Sequence, residues 1–373
     1  MTQKQRFEPF KTSRVLVLGA GHIGRVVAHL LATAEGEPRY DVALADRAFE
    51  AAVRARFGDR CRMVDGDDVE TFARLIDGHD AVVNALPFHF GATVARAAAG
   101  RAHYFDLTED LDAAHVIRGL AEGARTAYMP QCGLAPGFIS IAGYALSRGF
   151  DTLERLHMRV GALPQYPTNA LKYNLTWSVD GLINEYVHPC EAIVDGARIE
   201  QPPLEGYETF ALDGVNYEAF NTSGGLGTLA ETLAGQVQYL DYKTIRYPGH
   251  RDIAKLMLQD FGLAGKREVM KDILRTAIPT TEQDVVVVFV TASGLKQGVR
   301  TQVSFARKVY AQTWAGMAMT GIQITTASGV CAVLDLFMQG ALPTQGFIRQ
   351  EQVALTDFLA NRFGRAYEAA AVR

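Results

Sequence analysis

The stretch Val15-Leu16-Val17-Leu18-Gly19-Ala20-Gly21-His22-Ile23-Gly24 constrains this chain more than any other. Four apolar residues read as a buried strand and run straight into Gly-x-Gly-x-x-Gly. A helical pattern follows, with Val26, Val27, Leu30 and Leu31 at helical spacing. Each glycine answers a separate steric need. Gly19 allows a tight turn, Gly21 lets the backbone approach a pyrophosphate, and Gly24 lets the helix pack against the strand. The helix start, through His22 and Ile23, then presents free N–H groups and a positive dipole end to phosphates. The glycine spacing alone is common, so context decides. Here a second apolar strand, 42–45, ends in Asp46, roughly 20 residues beyond the last glycine. A carboxylate there accepts hydrogen bonds from a ribose 2′-hydroxyl and repels a 2′-phosphate. The expected cofactor is therefore NAD rather than NADP, with the adjacent Arg47 pulling the other way.

Strand and helix signals alternate up to about residue 130. Strands are expected over 61–64, 80–87, 103–106 and 126–129, and helical segments over 69–76 and 94–99. That alternation implies an α/β fold, a doubly wound parallel sheet of the Rossmann type. Ligands of such sheets bind beyond the carboxyl ends of the strands. Asp46, Asp65, Asn84 and Pro87 fall at such ends. They join Gly19, Gly21, His22, Ile23 and Gly24 as expected cofactor-binding residues.

The pattern changes at Gly133-Leu134-Ala135-Pro136-Gly137. Beyond this turn longer, often alternating strands are expected over 156–161, 171–177, 190–194, 237–245, 285–291 and 301–310. Asp195-Gly196 is a hairpin signal. With helices over 253–261 and 267–277, this makes an α+β domain with a largely antiparallel sheet. The tail is helical again over 318–338 and 350–363. The expected organisation is a dinucleotide-binding domain at 1–132, a substrate domain at 133–315, and C-terminal helices at 316–373 that return to the first domain.

Composition supports two full cores, with 373 residues, 48% of them apolar. A net charge of −4 and no basic run give no sign of nucleic-acid binding, and no nucleic-acid partner is expected. The apolar stretch 317–338 is interrupted by Gln323, Thr325, Thr326, Ser328 and Asp335, and reads as too polar to span a membrane. Cys61, Cys132, Cys190 and Cys331 are scattered without Cys-x-x-Cys, so neither a metal site nor a disulfide framework is indicated. That usage fits a reducing cytoplasm. The first dozen residues are polar and read as an unstructured start rather than a targeting peptide.

Two polar-aromatic words carry the remaining chemistry: Leu171 to Ser178, and Tyr242 to His250. Arg246 is the anchor candidate, because a guanidinium grips a carboxylate through two parallel hydrogen bonds and stays charged. Its other reading is a surface ion pair. His250 has the ordinary pKa for proton transfer, or else serves as a helix start. Lys172 becomes a base only if burial lowers its pKa. Tyr173, Trp177 and Tyr247 are core aromatics on the plainer reading, and Cys132 a small buried thiol.

Taken together, these words resemble the saccharopine dehydrogenase family, most closely its lysine 6-dehydrogenase-like branch. The resemblance runs through Gly19-x-Gly21-x-x-Gly24, Tyr104-x-Asp106, Cys132 to Gly137, and Gly161-Ala162-Leu163-Pro164-Gln165. It continues through Trp177-Ser178 with Glu185-Tyr186, and Arg246-Tyr247-Pro248-Gly249-His250. Two positions depart from the family pattern: Asn174 follows Tyr173 where saccharopine-active relatives often carry lysine, and Gln131 replaces an acid. The resemblance implies a Rossmann domain joined to a catalytic domain that also makes a homodimer or higher homo-oligomer. It implies oxidation of a C–N bond by a nicotinamide, with an amino acid as the small-molecule substrate. In that setting Arg246 holds the substrate carboxylate, with Trp177, Ser178 and Tyr247 beside it. His250 handles the proton, with Tyr173 and Lys172 in reserve. The expected activity is L-lysine 6-dehydrogenase, giving the semialdehyde, its cyclic piperideine-6-carboxylate, ammonia and NADH. Saccharopine or opine-like secondary-amine oxidation is the alternative, and a non-catalytic NAD-binding sensor is the alternative of another class.

Overall fold

The computed structural model describes residues 12–368. The polar start lies outside them. The chain divides into two compact units, Met1–Phe138 with Thr326–Ala366, and Ile139–Thr325 with Tyr367–Arg373. The division falls inside the helices Phe138–Ser147 and Gly321–Met338, after Phe138 and Thr325 rather than at the expected 132 and 315.

The first unit is built on a seven-stranded sheet. In spatial order the strands are Gly346–Phe347, Ala127–Met129, His103–Asp106, Ala81–Asn84, Thr12–Leu18, Arg39–Asp46 and Cys61–Met63. Every neighbouring pair is parallel. Val15, Leu16, Val17 and Leu18 have no exposed surface, as expected of a central strand covered on both faces. The sequence order of the strands reverses between Thr12–Leu18 and Ala81–Asn84. That is the topological switch point at which such sheets bind ligands.

The C-terminal segment returns to this unit but not as the second helix expected over 350–363. It forms a 3-10 turn Gln350–Gln352 and a short helix Leu355–Ala360. The helix ends where Asn361 turns inward. Its Nδ2 donates to Asp335 at 2.7 Å while its Oδ1 accepts from the Phe363 amide at 2.9 Å. Asp335 is buried and also accepts from the Tyr40 hydroxyl at 2.6 Å and from Arg362.

The second unit holds an eight-stranded sheet. Its main order is Glu208–Leu212, Val215–Asn221, Val237–Arg246, Thr152–Pro164, Asp284–Lys296 and Val299–Tyr310. Cys190–Val194 pairs with Val237–Arg246 and with Ala197–Gln201. Only Val237–Arg246 beside Thr152–Pro164 is parallel; the other pairs are antiparallel. Asp195 and Gly196 both have positive φ, 51° and 79°, as a two-residue hairpin turn of the primed type requires. Ala197–Gln201, Glu208–Leu212 and Val215–Asn221 escaped the sequence reading. The first of them has almost no buried residue, so no alternation marks it.

Residues 171–177 are not a strand. Lys172 takes φ 51°, and pairing is limited to one bridge between Leu175 and Thr280. The apolar residues of this segment enter a different core. Leu171 and Tyr173 pack with Leu182, Ile183, Tyr186, Phe220 and Leu258, beneath the helices Val179–Val187, His250–Lys255 and Arg267–Ala277.

The long helix begins at Gly321 rather than 318, because Met317–Met319 is paired with Gln312–Trp314. Buried Asp284 caps it, accepting from the amides of Gly321 at 2.5 Å and Ile322 at 3.0 Å. By length and composition alone Gly321–Met338 is apolar enough to cross a membrane, contrary to the sequence reading, since its polar residues are too few to offset its apolar ones. It is mostly buried inside the protein, as a core helix is.

Candidate active site

The first unit carries a cradle made mainly of backbone. Gly19 has φ 100°, and a side chain there would lie 2.7 Å from the Ala85 carbonyl oxygen. A Cβ on Gly24 would collide with the Gly19 carbonyl. Gly21 is different: it is exposed, and a Cβ there would meet nothing within 4 Å. Two glycines thus close the turn while the third leaves room for a ligand, which is the arrangement a pyrophosphate needs. The helix Gly24–Thr33 follows with its N-terminus at this turn, where the Arg25 amide donates to the Gly21 carbonyl at 3.2 Å and the Val26 and Val27 amides to the Ile23 carbonyl at 2.9 Å, and its dipole favours an anion there. His22 is exposed and Ile23 half-buried at its start.

Asp46 closes strand Arg39–Asp46. Its carboxylate accepts from the amides of Ala20 and Arg47, both at 2.6 Å, and so ties the strand end to the glycine turn. Arg47 is exposed, pairs with Asp67 at 3.1 Å and lies over the Phe90 ring. Asp65 and Pro87 are exposed at the same rim of the sheet. Asn84, in contrast, is buried and engaged within the fold. Its Oδ1 accepts from the Leu86 amide at 3.1 Å, and its Nδ2 donates to the Tyr104 hydroxyl at 3.3 Å. It shapes the strand end instead of reaching outward, since both ends of its amide have protein partners.

Behind that rim lies Asp106, fully buried. It accepts from the Tyr104 hydroxyl at 2.8 Å, the Gln131 amide at 2.8 Å and the Thr108 amide at 3.0 Å. Burial pushes its carboxyl up to about 6, against those three donors. Glu109, three residues on, drew no notice in the sequence. It is half-buried, and burial followed by the charge of Asp110 pushes it up to about 7. Cys132 is buried and donates to the Met129 carbonyl at 3.0 Å, and burial raises its thiol well above the ordinary range. It is inert packing.

The second unit carries a buried network made of side chains. Arg246 ends strand Val237–Arg246 and is 2% exposed. Its Nε donates to the Tyr186 hydroxyl at 2.9 Å, and its Nη1 to Thr244 Oγ1 at 2.7 Å and the Ile245 carbonyl at 2.8 Å. The rings of Tyr173 and Tyr186 lie 5.1 and 5.8 Å from the guanidinium carbon. Burial opposes the charge, but Tyr186, Tyr173 and Glu185 outweigh it, and the guanidinium stays protonated. Among the described residues Nη2 donates no hydrogen bond, which leaves one edge of the fork for a ligand.

His250 does not reach outward. It is 1% exposed, with Nδ1 2.9 Å from the Leu171 carbonyl and Nε2 2.9 Å from the Tyr186 hydroxyl. The consistent tautomer donates from Nδ1 and accepts at Nε2. Burial, then the charge of Arg246, pushes its pKa down to about 3. A neutral imidazole with both nitrogens engaged holds Tyr186, and through it Arg246. It has no free nitrogen for proton transfer. Glu218 steadies the same turn, with its carboxylate accepting from the amides of Gly249 at 2.7 Å and Arg251 at 2.6 Å.

The other expected substrate residues separate. Lys172 is exposed, with Nζ 2.7 Å from the Pro248 carbonyl, so the burial that a base role requires is missing. Ser178 caps helix Val179–Val187, accepting from the Gly181 amide at 3.2 Å. The Tyr247 hydroxyl donates to the Pro164 carbonyl at 2.9 Å, its ring stacks on Tyr217, and burial pushes it up to about 12. Trp177 is partly buried against the helix-covered core. Tyr173 stays with Arg246 and His250. Its hydroxyl, with Thr176 and Trp177 as polar neighbours, is buried and completes no hydrogen bond. Sequence reasoning missed Tyr186 as the link between Arg246 and His250; its signal was the Glu185-Tyr186 pair on an otherwise apolar helix face.

The glycine turn of the first unit and the two matched domains make the chain a pyridine-nucleotide oxidoreductase of the kind that acts on CH–NH2 or CH–NH donors. The chain belongs to the saccharopine dehydrogenase family: residues 15–131 match the saccharopine dehydrogenase NADP binding domain, and residues 133–364 the saccharopine dehydrogenase C-terminal domain. Among curated relatives, the NADP(+), L-glutamate-forming saccharopine dehydrogenase of Pyricularia oryzae is 24% identical over 315 residues, 79% of this chain and 67% of the relative. Among solved structures, the apo saccharopine dehydrogenase (L-Glu forming) from Saccharomyces cerevisiae superposes with a TM-score of 0.76 at 15% identity. It covers 93% of this chain and 96% of its own. The homospermidine synthase of Legionella pneumophila in complex with NAD gives 0.67 at 12% identity, over 97% and 91% of the two chains. Both likenesses concern the fold.

Proposed function

We propose that this chain oxidises the C–N bond of a saccharopine-type secondary amine, with the substrate carboxylate held by Arg246. The observation that carries the reading is the buried guanidinium whose Nε and Nη1 are engaged by the fold while Nη2 is uncommitted. A carboxylate bound there gains a charge-assisted hydrogen bond in a site already desolvated. The named activity of the Pyricularia oryzae relative supports the secondary amine as donor. When bound, the nicotinamide supplies the hydride acceptor. The chain's part is to orient the substrate carbon and hold its carboxylate. His250 and Tyr186 serve that orientation by fixing Arg246.

A second reading, oxidation of the primary ε-amine of L-lysine, is favoured by a specific observation. Saccharopine carries more carboxylates than lysine, yet beside Tyr173 and Tyr186 stands Arg246 and, at 174, an asparagine rather than a second cation. For the nucleotide, the names of the matched domain and relative favour NADP, and exposed Arg47 offers a cation for a 2′-phosphate. The carboxylate of Asp46 favours NAD.

The test is the absorbance of reduced nicotinamide in mixtures of the purified protein, NADP or NAD, and single amines. Reduction with saccharopine supports the leading reading. Reduction with L-lysine alone, with ammonia released, moves the chain to the second. Silence on every amine with intact nucleotide binding overturns both.

A further inference from the structure

The loop after strand His103–Asp106 commits its polar side chains to its own shape, with one exception. Asp106 accepts from the amides of Thr108 and Gln131. Thr108 Oγ1 accepts from the Asp110 amide at 3.1 Å. Asp110 caps helix Leu111–Ala121, accepting from the Ala113 amide at 2.7 Å. Glu109 sits among these pinned residues. Among the described residues its carboxyl makes no hydrogen bond and no ion pair, and Asp110 is the one charged group that acts on it.

Its place in the sheet gives this a meaning. The pyrophosphate belongs at the glycine turn, and the adenosine ribose at Asp46, on one side of the switch point. The other half of a bound dinucleotide therefore extends over the carboxyl ends of Ala81–Asn84 and His103–Asp106. Glu109 stands just past the second of these strands, at the carboxyl ends over which the nicotinamide half would extend.

We propose that Glu109 is the general base that takes the proton from the substrate's ammonium nitrogen. The inference rests on the C–N dehydrogenase reading. An ammonium nitrogen has no lone pair with which to expel hydride. Transfer of its proton to the Glu109 carboxylate gives a neutral amine and a carboxylic acid. The hydride then leaves the adjacent carbon for the nicotinamide, and the nitrogen lone pair forms the C=N bond of an iminium. Water adds to that carbon and releases its proton to solvent. The C–N bond breaks as the nitrogen takes back the proton held by Glu109, and the hydroxyl passes its own proton to the departing amine, giving a carbonyl compound and an ammonium ion. The half-buried site beside Asp110 holds the carboxyl up to about 7, so that both its forms are present at neutral pH, as a general base requires.

The experiment is Glu109→Gln in the full-length enzyme, with Glu109→Asp beside it. The expected result is a fall in kcat of about 10²–10⁴-fold, loss of the limb near neutrality from the pH profile of kcat/KM, and partial rescue by aspartate. Nucleotide affinity should be unchanged. A readout independent of turnover is infrared difference spectroscopy of the nucleotide-free protein. A carboxylic acid C=O band should titrate with a midpoint of about 7 and be absent from the glutamine variant. A band titrating in the ordinary carboxylate range overturns the proposal. So does a glutamine variant that keeps the rate and limb of an active parent, and this leaves the dehydrogenase reading standing. A wild-type enzyme silent on every amine overturns both.

Discussion

The glycine cradle of the first unit and the Arg246 network of the second do related work by opposite means. The cradle is made of backbone: its selectivity comes from side chains that are missing at Gly19, Gly21 and Gly24, which lie in one short stretch of chain packed against Ala85. The network is made of side chains drawn from far apart. Arg246 meets Tyr186 from 60 residues away, and Tyr186 meets His250 from 64. A backbone site tolerates change at most of its side chains and none at a few. A side-chain network passes strain from member to member, because each buried polar atom depends on its neighbour for its hydrogen bond.

The largest effect expected from this contrast is at Arg246. In Arg246→Ala the substrate loses its charged partner, and Tyr186 loses one of its own. Truncating one member of a buried charge pair costs about 2–5 kcal/mol, so KM should rise roughly 30- to 5,000-fold. The dissociation constant of the nucleotide should not move, and titration calorimetry of the same variant checks that separation. A parallel loss of nucleotide affinity would break the division of labour between the two regions.

Next come the glycines, which sharpen the contrast from the other side. Gly21→Ala adds a methyl group that meets nothing within 4 Å in the protein but stands where a phosphate approaches. Thermal stability should be unchanged, while nucleotide affinity falls by the worth of one charge-assisted hydrogen bond, about 1.5–3 kcal/mol. Gly24→Ala strikes the Gly19 carbonyl and should lower stability as well, by about 1–3 kcal/mol for an overpacked site. Melting curves with and without nucleotide tell the two apart.

The network has a pH signature that the cradle's glycines lack. His250 has its folded-state pKa pushed down to about 3, below the ordinary 6.5. Between those values the unfolded chain binds a proton that the folded chain refuses. The stability from His250 is therefore fully present above 6.5 and drains away as pH falls through that window. The limiting slope is about 1.4 kcal/mol per pH unit. Asp106, raised to about 6, acts in the opposite sense over much of the same range, so wild type alone is a poor probe. The difference in unfolding free energy between wild type and His250→Gln isolates the histidine. It should shrink steadily from pH 6.5 to pH 4, and a flat difference would mean that the imidazole is not held neutral.

The two regions also differ in how far the sequence discloses them. Local rules were enough for the cradle. The apolar run, the glycine spacing and the acid at the end of the second strand lie within about 30 residues, and the structure places Gly21 and Asp46 at one rim. Arg246 and Tyr173 were also visible, because a polar-aromatic word at a strand end stands out. What stayed hidden was partnership. His250 looked like a proton carrier because its ordinary pKa suits that task, and only burial against Arg246 and Leu171 removes it from consideration. Glu109 went unnoticed for the converse reason: nothing in a lone glutamate predicts that Asp106, Thr108 and Asp110 would be used up around it. The strand expected over 171–177 failed because its apolar residues serve a core made with helices, where alternation carries no information.

The smallest effect expected is at Ser178, and it tests how far the network extends. The Trp177-Ser178 word suggested substrate contact, whereas the structure makes Ser178 a helix cap, accepting from the Gly181 amide at 3.2 Å. Ser178→Ala should then cost about 1 kcal/mol of stability, as loss of a capping oxygen does. In a unit of this size that lowers Tm by about 2–4 °C. KM for the amine should stay at the wild-type value, because an exposed hydroxyl already engaged by its own helix has little left to offer a ligand. A rise in KM with no change in Tm would reverse the assignment. It would carry the network beyond the buried set of Arg246, Tyr186 and His250 to the start of helix Val179–Val187, and make Ser178 a second point of contact for a longer substrate.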